Sequence, residues 1–421
     1  MHRSTGDGSV RASAPTAGPS TFAALKGRDY CLYWLGLVCY VLGHRAEYVT
    51  FAWIIWEIAR DPLALGYLGL AQGAPFVIFQ LFGGVLADRT DRLRLLLVTQ
   101  IATAFTLTGA FVLTMLGLAH LPHLLALAAL SSSFRAFDEP TRMALIPQLV
   151  ERERLPNAIA LGSIPWQAGR MVGPSITGLA IAAFGGPAGF GLAALASYAA
   201  LALYSRLHVR HEARPHDGRH VLRQFAEGMG FVAHDFVFAS LIALALFNSL
   251  FAMSYLTLLP IYADAYFGAG STGYGLLNAA HGAGALVATF ALATFAHRSV
   301  NRGTPLFVGA TCLGFCLIAF SRYSRLSVAL CLLVLVGLSN TFYLTQVSTF
   351  LQQNVPDRLR GRVLSLYALC WNLLPLGGLL AGALATAVNA RFAVLFGGAM
   401  VAANALLLLT SRRLRALGPD T

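Results

Sequence analysis

The sequence predicts an all-α polytopic membrane protein, with twelve transmembrane helices arranged as two six-helix bundles. Composition is the first reason: of 421 residues, 57% are hydrophobic and only 11% charged, and the mean hydropathy is +0.66. Soluble domains carry about 25% charged residues, so the solvent for most of this surface is not water. The second reason is the length of the apolar runs. A helix needs about 20 apolar residues to cross roughly 30 Å of hydrocarbon, and the runs here reach that length without the period-two alternation of a barrel strand. The third is the distribution of positive charge, described below.

Spans are expected near 31–57, 65–87, 93–119, 123–147, 157–183 and 187–207 in the first half. Those of the second half fall near 237–263, 273–296, 304–321, 326–350, 362–388 and 392–411. Pro165, Pro174, Pro375, Gly377 and Gly378 fall inside spans, where they permit bends and close helix approach. Residues 1–28 open with a Ser-, Gly-, Ala- and Pro-rich stretch that lacks a signal-peptide core, and are expected as a disordered cytoplasmic tail. Residues 29–208 form the N-terminal bundle, 209–235 a polar cytoplasmic linker, 236–412 the C-terminal bundle and 413–421 a second tail.

The formal charge of +12 does not require nucleic acid as a partner. With both termini on one side, 23 of the 30 Lys and Arg lie on that side; four (Arg60, Arg322, Arg325, Arg391) lie opposite and three (Arg45, Arg135, Arg170) within spans. The positive-inside rule then puts both termini in the cytoplasm of a cell with an inner, or plasma, membrane. All six cysteines lie in apolar runs. Cys312 and Cys316 are a helical turn apart without an accompanying His or carboxylate, which reads as buried thiols rather than a metal or redox site. The linker histidines have no regular ligand spacing. No metal and no cofactor are expected.

The two halves echo each other. Gly66-Tyr67-Leu68-Gly69-Leu70 is matched by Gly273-Tyr274-Gly275-Leu276-Leu277, and Gln148, Val150 and Trp166 by Gln353, Val355 and Trp371. Conserved order with an even number of spans per half implies parallel repeats about an axis normal to the membrane, with a binding site between them near the midplane.

Three stretches carry a family resemblance. Gly84-Val85-Leu86-Ala87-Asp88-Arg89-Thr90-Asp91-Arg92-Leu93-Arg94 resembles the loop motif G-x-L-a-D-R-x-G-R-R of the major facilitator superfamily, departing from it at Asp91 and Leu93. Residues 139–157, from Glu139-Pro140 to Pro156-Asn157, resemble the fourth-to-fifth span junction of the branch that holds enterobactin-type siderophore exporters and macrolide-efflux proteins. Gly169, Gly173, Pro174 and Gly178 are similar to the fifth-span motif of superfamily antiporters, with Thr177 in place of one Gly. The resemblance implies the major facilitator fold and transport by alternating access. Physically, Asp88 among Arg89, Arg92 and Arg94 could cap a helix or latch a closed state, or remain a solvated loop charge. The glycines and Pro174 give α-helical surfaces thin enough to slide against, or simply to pack.

Ionisable residues within spans are expensive and functional by default. Arg45, Arg135 and Arg170 are expected near the midplane, with His44, Glu47, Asp138 and Glu139 close by. Helical spacing allows Arg135 to pair with Asp138 or Glu139, and His44 with Glu47; Arg170 has no acid on its own helix. Either these charges neutralise one another structurally, or His44, Glu47, Asp138 and Glu139 exchange protons while Arg45, Arg135 and Arg170 hold an anion. The second reading is favoured, because neutralised networks are a costly route to packing. Arg142 and Glu57, near span ends, are expected to snorkel.

The C-terminal spans carry no such charge and offer Asn248, Tyr255, Asn340, Tyr343, Gln346, Trp371 and Asn372 for an amphipathic ligand. His281, alone on an apolar face, reads as a core histidine. The expected function is proton-coupled export, by antiport, of a siderophore, drug or similar amphipathic or anionic small molecule, by a monomer in the lipid bilayer. An uptake permease for an organic anion is the alternative. No nucleophile elbow, zinc-protease motif or phosphate-binding loop points to an enzyme.

Overall fold

The computed structural model describes residues 22–209, 229–295, 303–411 and 414; the side chains of residues 81–89, 293, 295, 357 and 358 are not among those described. Residues 1–21, 210–228 and most of 412–421, which hold most of the expected tails and linker, lie outside the described residues, as do the side chains of Gly84, Asp88 and Arg89. Of the expected first tail, Ala23–Lys26 form a short 3-10 helix tied to Asn157 through the Ala24 amide at 3.0 Å, and 229–234 of the expected linker are helical.

Long helices account for the rest. In the first half they are α1 (Arg28–Ala59), α2 (Pro62–Arg89), α3 (Arg92–Met115), α4 (Leu121–Leu149), α5 (Leu155–Phe184) and α6 (Pro187–Tyr204). The second half has α7 (Phe236–Tyr266), α8 (Gly270–Phe295), α9 (Gly303–Arg322), α10 (Leu326–Asn354), α11 (Asp357–Asn372 and Leu374–Ala387) and α12 (Ala390–Leu409). Each expected span coincides with one helix. Among the described residues, nine of them are long and apolar enough to cross a membrane. The other three are α1, α4 and α5, at 32, 29 and 30 residues. They match their neighbours in length and fall short in apolarity because they carry the interior charges.

Local chemistry sets the helix ends and breaks. Asp91, where the chain departs from the loop motif, caps α3 by accepting from the Arg94 amide at 3.1 Å. Asp235 and Asn389 cap α7 and α12 in the same way. In α7 the backbone widens into π turns at Asn248–Ala252 and Tyr262–Tyr266, flanking Pro260. Helix α11 breaks at Leu373, just ahead of Pro375.

Packing repeats between the halves. Helix α2 packs on α4 as α8 does on α10, α3 on α6 as α9 on α12, and α3 on α4 as α9 on α10. The halves meet through α5 on α8 and α2 on α11, the two contacts that a two-fold relation exchanges. Both are glycine contacts. A Cβ on Gly178 would lie 2.5 Å from the Ser271 carbonyl oxygen and 3.1 Å from the Gly275 Cα; one on Gly382 would lie 2.8 Å from the Pro62 carbonyl oxygen and 3.4 Å from the Gly66 Cα. Small residues therefore let the backbones touch.

These contacts sit at the end of the molecule away from the start of α1. There Arg60 and Trp56 of the first half bind Asp264 of the second, and Thr386 donates to Asp61 at 3.0 Å. The hydrophobic core reports the same asymmetry. One cluster runs through both halves and includes Trp53, Ile55, Leu65 and Phe190 with Tyr262, Tyr274 and Phe320. The end holding the start of α1 has a separate core within the first half, built on Tyr30, Tyr33, Leu96, Leu145 and Tyr204. Among the described residues, the bundles are thus sealed at one end and parted at the other. Large side chains such as Phe105, Phe184, Phe290 and Leu407 are 65–81% exposed, which suits lipid rather than water.

Gly178→Val is expected to force α5 and α8 apart at the sealed end. Spin labels placed on Glu57 and Phe267 should then show a longer mean distance than in the parent; an unchanged distance would remove the glycine contact as the determinant of the seal.

Candidate functional site

Between the bundles lies a cavity of about 590 Å³. Helical periodicity places its charged wall. Tyr40, His44 and Tyr48 follow one another at four-residue steps on α1, with Arg45 beside them; Ser132, Arg135, Glu139 and Arg142 share a face of α4; Trp166 and Arg170 are one turn apart on α5. Gln72, Phe76 and Val77 of α2 extend this wall. The opposite wall, from α7 and α11, is Met253, Leu256, Thr257, Trp371, Asn372, Leu374 and Pro375, without a charge.

Two arginines are paired and two are not. Arg135 donates to Glu47 Oε2 at 3.1 Å and to His44 Nδ1, so His44 accepts at that nitrogen. Glu47, 1% exposed, also accepts from Ser131 at 2.7 Å and lies 3.9 Å from His44 Nδ1. Arg142 donates to Asp138 at 3.3 Å and stacks over Tyr40, its guanidinium carbon 3.4 Å from the ring centroid. Asp138 is fully buried and accepts further from Thr99 and, at 2.7 Å, from Gln100. Tyr40, His44 and Trp166 pack ring to ring at 6.0–6.2 Å, joining the two ion pairs into one assembly.

Arg45 and Arg170, by contrast, have no carboxylate within ion-pair distance among the described residues, and the Arg45 Nε is buried without a hydrogen-bond partner. The stem of Arg45 lies over Gly173: a Cβ there would meet the Arg45 Cβ at 2.5 Å. Gly169 accepts Val41 in the same groove. The fifth-helix glycines thus work on two faces. Gly169 and Gly173 seat α1 and its cation, while Pro174 and Gly178 meet α8. A half-buried cation with no carboxylate partner at a cavity wall is a site prepared for an anion.

The structure brings Arg45, Arg135, Arg170, His44, Glu139, Trp371 and Asn372 to the cavity. It puts Glu47 and Asp138 behind the wall, each committed to an arginine. The local pairing expected for Arg135 gives way to partners on other helices: Glu47 of α1 takes Arg135, and Asp138 takes Arg142, one turn along α4. Arg142, expected to snorkel, is 4% exposed, because α4 extends to Leu149 and the ring of Tyr40 covers it. Asn248, Tyr255, Asn340 and Tyr343 are buried inside the C-terminal bundle, and neither they nor Gln346 reach the cavity. Asn340 contacts Met253 Sδ at 3.8 Å, and the Tyr255 hydroxyl bonds His281 Nδ1 at 2.9 Å. Tyr40 and Trp166 were not foreseen as lining residues. The signals that point to them are the four-residue step from Tyr40 to His44 and the repeat that matches Trp166 with Trp371.

Comparison with known proteins agrees with this architecture. Residues 19–418 match the model of a major facilitator family described as transmembrane secretion effector. The staphyloferrin A transporter of Staphylococcus aureus is 24% identical over 80% of this chain and 85% of its own. The enterobactin exporter EntS of Escherichia coli O1:K1 is 28% identical over 96% and 95%, and the multidrug efflux pump Tap of Mycolicibacterium fortuitum 24% over 82% and 87%. Among solved structures, the peptide transporter POT in complex with sulfate superposes with a TM-score of 0.73 at 14% identity, covering 93% of this chain and 96% of that one. A bacterial homologue of the human lysosomal transporter Spinster gives 0.66 at 16%, covering 96% and 98%. At these identities the structural likeness concerns the fold.

Arg135→Gln leaves Glu47 buried without its cation and is expected to destabilise the protein by about 3–5 kcal/mol, read as a lowered melting temperature in detergent. The double variant Glu47→Gln with Arg135→Gln should recover most of that loss, whereas additive losses would show that the two side chains are not an energetic pair.

Proposed function

Because the chain belongs to the transmembrane secretion effector family of the major facilitator superfamily, whose members here are membrane transporters and not enzymes, we propose that it is a proton-coupled exporter of a siderophore, drug or similar amphipathic or anionic small molecule. The observation that carries this reading is the pair of uncompensated cations, Arg45 and Arg170, facing a cavity whose other wall is apolar. A molecule with an anionic end and an apolar or aromatic body fits both walls. The enterobactin exporter and the multidrug efflux pump among its relatives support export, and together with the staphyloferrin A transporter they support this range of cargo.

The protein works as a monomer in the inner, or plasma, membrane, with both termini in the cytoplasm according to the distribution of its basic residues. The parted end then faces the cytoplasm, so the conformation is one that loads cargo from inside. Transport follows by rocking one bundle against the other, the α5–α8 and α2–α11 glycine contacts opening as the opposite ends close. Proton exchange falls to one or more of His44, Glu47, Asp138 and Glu139, and anion binding to Arg45 and Arg170, with Arg135 held by Glu47. The loop from Gly84 through Asp88 and Arg89 to Arg92 latches the cytoplasmic ends once they meet.

Uptake of an organic anion is favoured by one observation. Protonating Glu47 or Asp138 frees an arginine, so a proton and an anion would then bind together rather than in turn.

Deleting the gene and comparing cell extracts with spent medium by untargeted mass spectrometry separates the two. Export predicts a compound that rises inside cells and disappears from the medium, restored by the parent gene and reduced about tenfold with Arg45→Gln and Arg170→Gln combined. A compound that instead falls inside and persists in the medium establishes uptake.

A further inference from the structure

Among the charged groups that line the cavity, one has the opposite sign. Glu139 of α4 faces the space, is solvent-accessible, and makes no hydrogen bond or ion pair with any described residue. It lies one helical turn from Arg135, roughly 6 Å along the axis, on the side toward the parted end. The charged groups around it on the cavity wall are Arg45 of α1, Arg135 and Arg142 of α4, and Arg170 of α5; the neutral titratable ones are Tyr40, His44 and Tyr48 of α1. Four arginines line the same cavity, yet none holds it. Two are already engaged by Glu47 and Asp138, and the other two point at the space a cargo would fill.

Antiport requires that proton and cargo exclude one another, and competition for the same group is the most direct way to achieve it. The arginines keep their charge at every physiological pH, so an anion bound to them is not displaced by a proton. Glu47 and Asp138 couple with the wrong sign, since protonating either one releases an arginine and strengthens the hold on an anion. A carboxylate open to the cavity is the group for which a proton can compete with a cation or strong donor on the cargo.

We propose that the cargo is bifunctional, bearing an ammonium group as well as its anionic end, and that Glu139 is the carboxylate for which this ammonium and the coupling proton compete. This rests on the exporter reading above and narrows its cargo from any amphipathic anion to a zwitterionic one. Neither a purely anionic nor a purely cationic molecule would satisfy all three unpaired charges, Arg45, Arg170 and Glu139.

Two citrate monoamides test it, one made with 1,4-diaminobutane and one with butylamine, which differ in a terminal ammonium alone. Binding to the purified full-length protein is read from quenching of tryptophan fluorescence, since Trp166 and Trp371 line the cavity. The aminobutyl amide should bind the parent about tenfold more tightly than the butyl amide at pH 8, and lose that advantage as the pH is lowered. Glu139→Gln should bind both equally at every pH, and Glu139→Asp should restore the difference. Equal binding of the two amides to the parent at pH 8, or a pH-dependent preference that survives in Glu139→Gln, overturns the role of Glu139. A different failure is visible separately: if neither amide quenches the parent, or if Arg45→Gln with Arg170→Gln binds both as the parent does, the anion site of the exporter reading is itself lost. Glu139 makes no bond to any described residue, so its variants are expected to keep the parent's melting temperature.

Discussion

Placing charge at the centre of a membrane protein costs several kcal/mol per group unless a counter-charge and hydrogen bonds accompany it, and the layout of the N-terminal bundle follows from that cost. Glu47 and Asp138 are buried as deeply as any aliphatic residue, and each has an arginine plus hydroxyl or amide donors to hold it. Tyr40, His44 and Trp166 then join the two pairs across α1, α4 and α5. These are also the three long helices that are not, by length and composition alone, candidate membrane spans. Their stability in hydrocarbon depends on one another, so the charges that look like defects in each helix taken singly are what hold the three together.

Hydropathy made the fold legible. A run of about 20 apolar residues leaves the backbone little choice in hydrocarbon, and each expected span is a helix with ends moved by a few residues. The short echoes that begin at Gly66 and Gly273 likewise fall where the halves touch, Gly66 against Gly378 and Leu379, and Gly275 against Pro174 and Gly178. Pairing within the charge cluster was not legible. Helical spacing ranks partners on the same helix, and so proposed Asp138 or Glu139 for Arg135, whereas the geometry chose Glu47 from α1. Interhelical distance is set by the residues at the contact, here Gly169 and Gly173, and no local pattern reports it. Burial of Arg142 escaped for a related reason: distance from a span end does not say whether a neighbouring tyrosine covers the side chain. The polar residues of the C-terminal half were misleading in the other direction, since Asn and Tyr at helical spacing serve equally well to bind helices to each other.

Symmetry and its breaking divide the work of the cavity. The repeat supplies the scaffold: equivalent helix pairs, equivalent glycine contacts, and Trp166 and Trp371 brought to the same cavity from α5 and α11. Chemistry is confined to one half. All four cavity-lining arginines belong to the N-terminal bundle, and the C-terminal wall offers thioether, aliphatic and aromatic surface with Thr257 and Asn372 as its polar groups. On the proposed function, a cargo spanning the space is held by unlike forces from the two sides, charge against one bundle and apolar contact against the other.

That division has a consequence for the transport cycle. The sealed end rests on backbone contact at glycines and on an Arg60–Asp264 pair that is partly exposed, and such pairs contribute only about 0–1 kcal/mol. It can therefore open without a large penalty. Closing the other end is a different matter, because it would enclose Arg45 and Arg170 in a space from which water is expelled. Without an anion, two uncompensated cations would be occluded together, at a cost that rises steeply as the local dielectric falls. With one, the same closure strengthens the attraction. A ligand shifts a conformational equilibrium only by its differential affinity for the two states, and in this cavity that difference comes from the unpaired arginines. On the proposed function they bind the cargo and, by the same electrostatics, hold the empty carrier back from crossing without it.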